Sequence, residues 1–390
     1  MVVRSMYRII AAGVLVVGTV SCGDQEQIEP SRQSSGGDQL PERDYLIKVT
    51  EGTVDPLTVP LADGGAVIVV GHERTGGGVI ATRSGVRLNS DGEVVDNLSL
   101  STPLAEPVAT AIGRSLFLAG IPCVGEFQYD DVGQFICEPG GYRLFEYDLT
   151  TGKERALDLP EPGLADMSMV GRYVSLNSSY GRLVMGYANS NGSPGIQYAQ
   201  RVVDGWTPIE QTSGSLCQSG DRLIASSGEA AMLPFDTKGS EELATQLSVL
   251  DVDGRWADIR NSPKILTGAG TGLKVNCTKS HVVIIPWGPP ESPTRGAVLD
   301  ISSGVWTEVS LAPGFGALQP FSWPTVDSVI ATPLPYGSNL LEFDPDRGTT
   351  RELAGLSQKV SVMVPVSESV LLRLGLDGGL NRDLIEIGGN

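Results

Sequence analysis

One short turn keeps returning in this chain, and that recurrence limits the fold more than any other feature. From Leu144 to Pro160 (LFEYDLTTGKERALDLP) apolar and polar residues alternate, turn residues intervene, and alternation resumes. This is the pattern of two antiparallel strands joined by a short Gly-containing turn. Shorter copies stand at Val203–Trp206, Leu250–Trp256, Leu299–Trp306 and Phe343–Gly348, with a fainter one at Leu88–Gly92. The turn glycines are Gly92, Gly152, Gly205, Gly254, Gly304 and Gly348, at intervals of 60, 53, 49, 50 and 44 residues. Self-similarity at such a period marks a repeat architecture.

Each unit also carries a strongly apolar segment ahead of its hairpin. These are Ala66–Val70, Leu116–Ala119, Leu183–Met185, Leu223–Ala225, Val282–Ile285, Val329–Ala331 and Val370–Leu374. Short continuous apolar runs are the signature of strands buried on both faces. Four strands per unit with seven buried second strands predict an all-β chain folded as a seven-bladed β-propeller over residues 45–390. Six or eight blades would also fit repeats so rich in loops. The chain holds 49 Gly and 25 Pro, with turn dipeptides spread over most of its length. No helical stripe of ten or more residues follows the first two dozen. The last unit runs out after Asp383–Ile387, its third strand. Tyr45–Val49 is expected to supply the fourth, closing the ring by pairing the two chain ends and protecting their edges.

Residues 1–21 read as an export signal. Arg4 and Arg8 give a positive start, and Ile9–Val20 is an apolar core too short to span a bilayer stably. The segment ends at Thr19-Val20-Ser21-Cys22, which resembles the lipobox of bacterial lipoproteins. That resemblance implies cleavage before Cys22, a lipid on Cys22 and attachment of the protein to a membrane. Residues 22–44 are Gly, Ser, Gln, Asp, Glu and Pro with few apolar residues, the composition of a flexible tether. The expected location is the cell envelope, extracytoplasmic and lipid-anchored.

The repeats resemble kelch-type propeller units. Tyr147-Asp148 with Gly152, and Trp206, Trp256 and Trp306, match that family's third-strand Tyr-Asp, turn and Trp. A single glycine (Gly71, Gly120 or Gly186) is read as following the second strand, where the family has two.

Four cysteines remain beyond Cys22, an even number suited to an oxidising compartment. Cys123 and Cys137 lie in one loop and could pin it. Cys217 and Cys277 precede equivalent second strands of adjacent units, so a bridge between blades is expected. Free thiols or a zinc site are the alternatives. A zinc site would want close Cys pairs and nearby His, and the chain has only His72 and His281.

The formal net charge of −18 argues against a nucleic-acid partner, which needs clustered Lys and Arg. Binding is expected on the long, dissimilar loops between second and third strands, at one mouth of the central channel. His72, Ile121, Tyr187, Trp287 and Leu334 follow the second strands, with Tyr336 just beyond. Tyr187 and Trp287 could stack on a flat ligand or simply pack between blades. Arg373 is a charge within an apolar strand, so it must be ion-paired or face the channel to bind an anion. Glu126, Asp130, Asp131 and Glu138 cluster near the Cys123–Cys137 loop, as a solvated acidic loop or a calcium site of unfamiliar spacing. No metal and no cofactor are expected.

Enzyme signatures fail. There is no Gly-x-Ser-x-Gly elbow, no His-Glu-x-x-His, and no phosphate loop, since Gly76–Gly78 leads into Val79 and Ile80. Asp251–Trp256 matches a sialidase box only in part. The leading expectation is a binding module for a glycan, peptide or protein. The alternatives are a carbohydrate-active hydrolase or lyase with a carboxylate pair in the channel, and a structural part of an envelope complex.

Overall fold

In the computed structural model, the residues described are 57–71, 81–122, 128–129, 135–136, 141–165, 174–188, 196–203, 205–210, 215–227, 241–259, 263–267, 273–286, 294–312, 315, 320–331, 340–353, 360–375 and 381–388. All belong to one unit, Pro41–Asn390. The Tyr45–Val49 segment and Cys22 lie outside them.

Seven antiparallel blades follow in chain order, the first two joined in one seven-stranded sheet, and within each blade successive strands are neighbours. Blade 1 is Leu57–Pro60, Ala66–Gly71, Ala81–Leu88 and the first half of Val94–Ile112. That 19-residue strand continues as the first strand of blade 2, followed by Ser115–Pro122, Arg143–Asp148 and Glu154–Leu157. Blade 3 is Val174–Ser179, Arg182–Ala188, Ile196–Val202 and Gly205–Ile209. Blade 4 is Ser215–Ser219, Arg222–Ser227, Gln246–Leu250 and Trp256–Ile259. Blade 5 is Leu273–Cys277, His281–Pro286, Thr294–Asp300 and Val305–Leu311. Blade 6 is Phe321–Ser322, Val329–Ala331, Leu340–Asp344 and Thr349–Leu353. Blade 7 shows three strands among the described residues, Val360–Pro365, Val370–Gly375 and Asn381–Glu386. The chain is a seven-bladed β-propeller. All seven apolar segments singled out in the sequence are second strands.

The recurring turn has a common chemistry. An Asp or Asn side chain at its start accepts amides from inside the turn, fixing the chain reversal. Asn89 accepts from Asp91 and Glu93, Asp148 from Thr150 and Thr151, and Asp251 from Asp253 and Arg255. Asp300 does the same for Ser302 and Asp344 for Arg347. All six turn glycines have positive φ, a region open to glycine without a Cβ penalty. The outer-strand tryptophans serve as clamps between blades. Trp206 Nε1 donates to Asp158 O of blade 2's exit, and Trp256 Nε1 to Glu210 O of blade 3's exit, each at 2.8 Å. The equivalent Trp306 N–H has no partner among the described residues.

The core is divided among the junctions between neighbouring blades. Among the described residues there are seven apolar clusters, one for each pair. Alternation along the second strands explains this. Val67 and Val69 face blade 2, while Ala66 and Ile68 face blade 7. Val283 and Ile285 face blade 6, while Val282 and Ile284 face blade 4. Both faces are therefore apolar, and each fully buried Val, Leu or Ile contributes about 1.5–3 kcal/mol. Ala66, Ile68, Val86 and Leu88 pack on Val364, Val366, Leu372 and Leu374, so blade 7 closes the ring onto blade 1. Gly65 N also donates to Val366 O across this seam.

One expectation needs correcting. Gly71, Gly120 and Gly186 do not follow the second strands but belong to them: Gly71 ends its strand, and Gly120 and Gly186 lie inside strands that run to Pro122 and Ala188. Gly186 is glycine because a Cβ there would meet Ser175 Oγ and Tyr198 Cε1 at 2.7 Å. Two further two-stranded sheets decorate the ring. Glu241–Ala244 pairs with Lys264–Thr267, and Gln128–Tyr129 with Phe135–Ile136.

Candidate functional site

The first strand of each blade is the innermost, and together these strands line a central cavity of about 810 Å³. The cavity sits at the end of the channel bounded by the turns between first and second strands. In an antiparallel sheet that end is opposite the loops between second and third strands. Its walls come from all seven blades, among them Thr58, Thr110, Ser178, Gln218, Ser322 and Pro365. Leu176 and Trp323 also line it. Charge is confined to the turns at the mouth, where Asp63, Asp221, Lys279 and Glu368 stand.

Hydrogen bonds between turns hold this mouth together. Tyr180 N donates to Asp221 O at 2.6 Å, linking blades 3 and 4, and Lys279 N to Val326 O at 2.8 Å, linking blades 5 and 6. Lys279 Nζ lies 2.6 Å from Glu368 Oε1, an exposed pair joining blade 5 to blade 7. Gln218 Nε2 donates to Ser178 Oγ at 2.6 Å and to Gly220 O at 3.0 Å, while its Oε1 accepts from Ser178 N at 3.2 Å. With Ser178 Oγ accepting from Gln218, its own hydrogen is left to donate. Cys217 and Cys277 both line the cavity and form a disulfide with Cα atoms 5.7 Å apart, across blades 4 and 5. The bridge expected between adjacent blades is present. Cys123 and Cys137 lie outside the described residues, as do Glu126, Asp130, Asp131 and Glu138.

Of the residues singled out in the sequence for binding, Ile121, Tyr187 and Arg373 are among those described. His72, Trp287, Tyr336 and Leu334 lie outside the described residues. Tyr187 is 6% exposed and packs with Met185, Leu164 and Tyr142 between blades 2 and 3. Burial there, helped by the charge of Glu161, raises its phenol pKa. Ile121 is buried in the same cluster. Both were expected at a channel mouth. The second strands extend past them, so alternation directs them into the blade interface. Arg373 is buried in blade 7 and donates from a terminal nitrogen to Asp383 Oδ2 at 3.3 Å, its cross-strand neighbour. Neither Tyr187 nor Arg373 lines the cavity. The residues that do (Ser178, Gln218, Lys279, Trp323) were not singled out in the sequence. The signal that could have found them was the position of Cys217 and Cys277, just ahead of the second strands.

Ser280, His281 and Asp327 come together nearby, but not as a nucleophilic triad. A triad needs hydroxyl and carboxylate on opposite ring nitrogens. Here Ser280 Oγ and Asp327 Oδ1 both face Nδ1, at 3.0 and 3.4 Å. The cavity itself offers hydroxyls and apolar surface, a lining suited to holding an uncharged polar molecule.

No protein-family model matches the chain, and no curated protein does. Among solved structures, puromycin hydrolase is similar at 13% identity over 90% of this chain and 54% of its own, with a TM-score of 0.49. An oligogalacturonate lyase in complex with manganese is similar at 10% identity over 85% of this chain and 96% of that one, with a TM-score of 0.48. The β-propeller domain of the trilobed protease from Pyrococcus furiosus is similar at 11% identity, over 87% and 93%, with a TM-score of 0.47. The chain spans about half the length of puromycin hydrolase. No activity is carried over from these likenesses.

Proposed function

We propose that this chain is an envelope-anchored, extracytoplasmic binding module of kelch-like type, held to the membrane by a lipid on Cys22. Its ligand enters the central channel, and an uncharged, hydroxyl-bearing molecule such as a short glycan suits the lining best. The observation that carries this reading is the cavity of about 810 Å³. That volume falls in the range of small-molecule sites, and its interior polar groups are neutral. His72, Trp287 and Tyr336 each follow a second strand in sequence and are further candidates for gripping a longer ligand.

The test is a glycan-array screen with a Cys22→Ser chain, repeated with Ser322→Tyr to narrow the cavity. Binding that weakens in the Ser322→Tyr protein supports the reading. Binding unaffected by that change moves the ligand out of the cavity, and no binding at all removes the glycan proposal. Cleavage of a bound glycan would establish the hydrolase or lyase alternative, with Asp63, Asp221 and Glu368 as the first carboxylates to replace. Intact-mass analysis of the unaltered chain tests the lipid on Cys22.

A further inference from the structure

Three consecutive blades open their second strand with a side chain that reaches the next blade. Arg182 of blade 3 donates to Val252 O at 2.9 Å, in the third-to-fourth-strand turn of blade 4. Arg222 of blade 4 donates to Ile301 O at 3.3 Å, in the corresponding turn of blade 5. Blade 5 has His281 at the same position, reaching blade 6. Two of these three fasteners carry a permanent charge, and the third is an imidazole whose charge depends on pH.

The surroundings of His281 decide which of its protons moves. Asp327, from the first turn of blade 6, is an organised anion. Its Oδ1 accepts from Thr278 Oγ1 at 3.0 Å and from Ser280 N and Oγ at 2.8 Å each. Ser280 Oγ, donating to Asp327, accepts from His281 Nδ1 at 3.0 Å. Nδ1 therefore keeps its hydrogen. The other nitrogen, Nε2, faces Asp346 Oδ1 at 3.4 Å, in the third-to-fourth-strand turn of blade 6. Asp300, directly across the sheet within blade 5, is the third carboxylate acting on the ring. In the same blade 6 turn, Arg347 Nε lies 3.6 Å from Asp344 Oδ2. Burial alone would lower the imidazole's pKa, but Asp327, Asp346 and Asp300 outweigh it and raise it.

We propose that the seam between blades 5 and 6 is a proton-operated fastening. With Nε2 protonated, His281 bridges Asp327 and Asp346 and holds both turns of blade 6 against blade 5. Loss of that proton turns a lone pair toward the Asp346 carboxylate and releases the outer turn, while the Asp327 contacts persist. The seam matters to the channel because Lys279 lines the cavity on its blade 5 side and Trp323 to Thr325 on its blade 6 side. The ring would then loosen at one chosen junction as the pH rises.

Histidine NMR tests this in the intact chain, which has only two histidines to assign. Hydrogen exchange at residues 344–348, corrected for the intrinsic pH dependence, provides the second reading. Protection of that turn should be full below the ordinary histidine pKa of about 6.5 and be lost as pH rises above it in the parent, and be constant with pH in His281→Arg. Asp346→Asn, at a 68% exposed side chain that does not endanger folding, should titrate His281 at lower pH than the parent. Constant protection in the parent, or an unchanged His281 midpoint in Asp346→Asn, would overturn the proposal. Because no ligand is used, this outcome is independent of the binding experiment.

Discussion

Glu342 offers the sharpest stability test of the ring. It lies on the third strand of blade 6 and is 1% exposed. Its Oε1 accepts from Ser328 Oγ and from Gly388 N, each at 2.6 Å, and its Oε2 accepts from Arg351 Nε. Arg351 in turn donates to Glu386 O at 3.2 Å. One carboxylate thus fastens the end of blade 7 to two strands of blade 6. Glu342→Ala leaves the Ser328 hydroxyl and the Gly388 amide without their acceptor, at about 1–3 kcal/mol each. The Arg351 side chain is 44% exposed and can turn to water, so its half of the pair adds little. The expected loss is about 3–5 kcal/mol. Glu342→Gln keeps an oxygen for Ser328 and Gly388 but sets an amide donor against the guanidinium, and should cost about 1–2 kcal/mol. Urea midpoints by circular dichroism and tryptophan fluorescence, at unchanged slope, would read both values. An alanine variant within about 1 kcal/mol of the parent, or a glutamine variant as damaged as the alanine, would refute the reasoning.

Other outcomes follow from the same geometry. Reducing the Cys217–Cys277 bridge, which closes a span of 60 residues, should lower stability by about 4 kcal/mol, measured by thermal unfolding with and without reductant. Burial would raise the pKa of Asp327, yet its bonds to His281, Ser280 and Thr278 lower it from 3.8 to about 2. Its contribution, about 2 kcal/mol, is present above about pH 4 and lost as pH falls through about 2, and Asp327→Asn should flatten that acid limb in pH-dependent unfolding. Gly65→Ala should cost more than about 2 kcal/mol, because a Cβ at φ +84° would sit 2.1 Å from Leu88 O. Gly113→Ala, at φ +56° with nothing near its Cβ, should cost about 1–2 kcal/mol, and the two can be ranked by thermal melts.

Much of the fold was legible because propeller blades are local. Hairpin turns such as Asp148–Gly152, and buried second strands such as Val282–Ile285, are written in neighbouring residues and repeat. The Cys217–Cys277 pairing could be read because equivalent positions in successive repeats become neighbours in space. The cavity lining could not be read in the same way. Ser178, Gln218 and Lys279 meet only after the ring has closed, and each alone is an ordinary turn residue. For Tyr187 the sequence left stacking and packing open, and the strand that continues to Ala188 directs it into the packing between blades. The roles of Glu342 and His281 depend on partners from another blade, Gly388 and Asp327, which no pattern within one repeat announces.

The strand Val94–Ile112 passes from the outer edge of blade 1 to the inner edge of blade 2 with no intervening loop. Leu104 and Ala105 pair with Thr82 and Ala81 of blade 1 on one side and with Pro122 and Ile121 of blade 2 on the other, which ties the two blades together. Blades 1 and 2 should move as one rigid double plate, so the breathing of the ring is left to junctions elsewhere. The same shared pairing makes this crossing a poor place to open new chain termini or insert a foreign domain. Such grafts would be tolerated at the exposed hairpin tips instead.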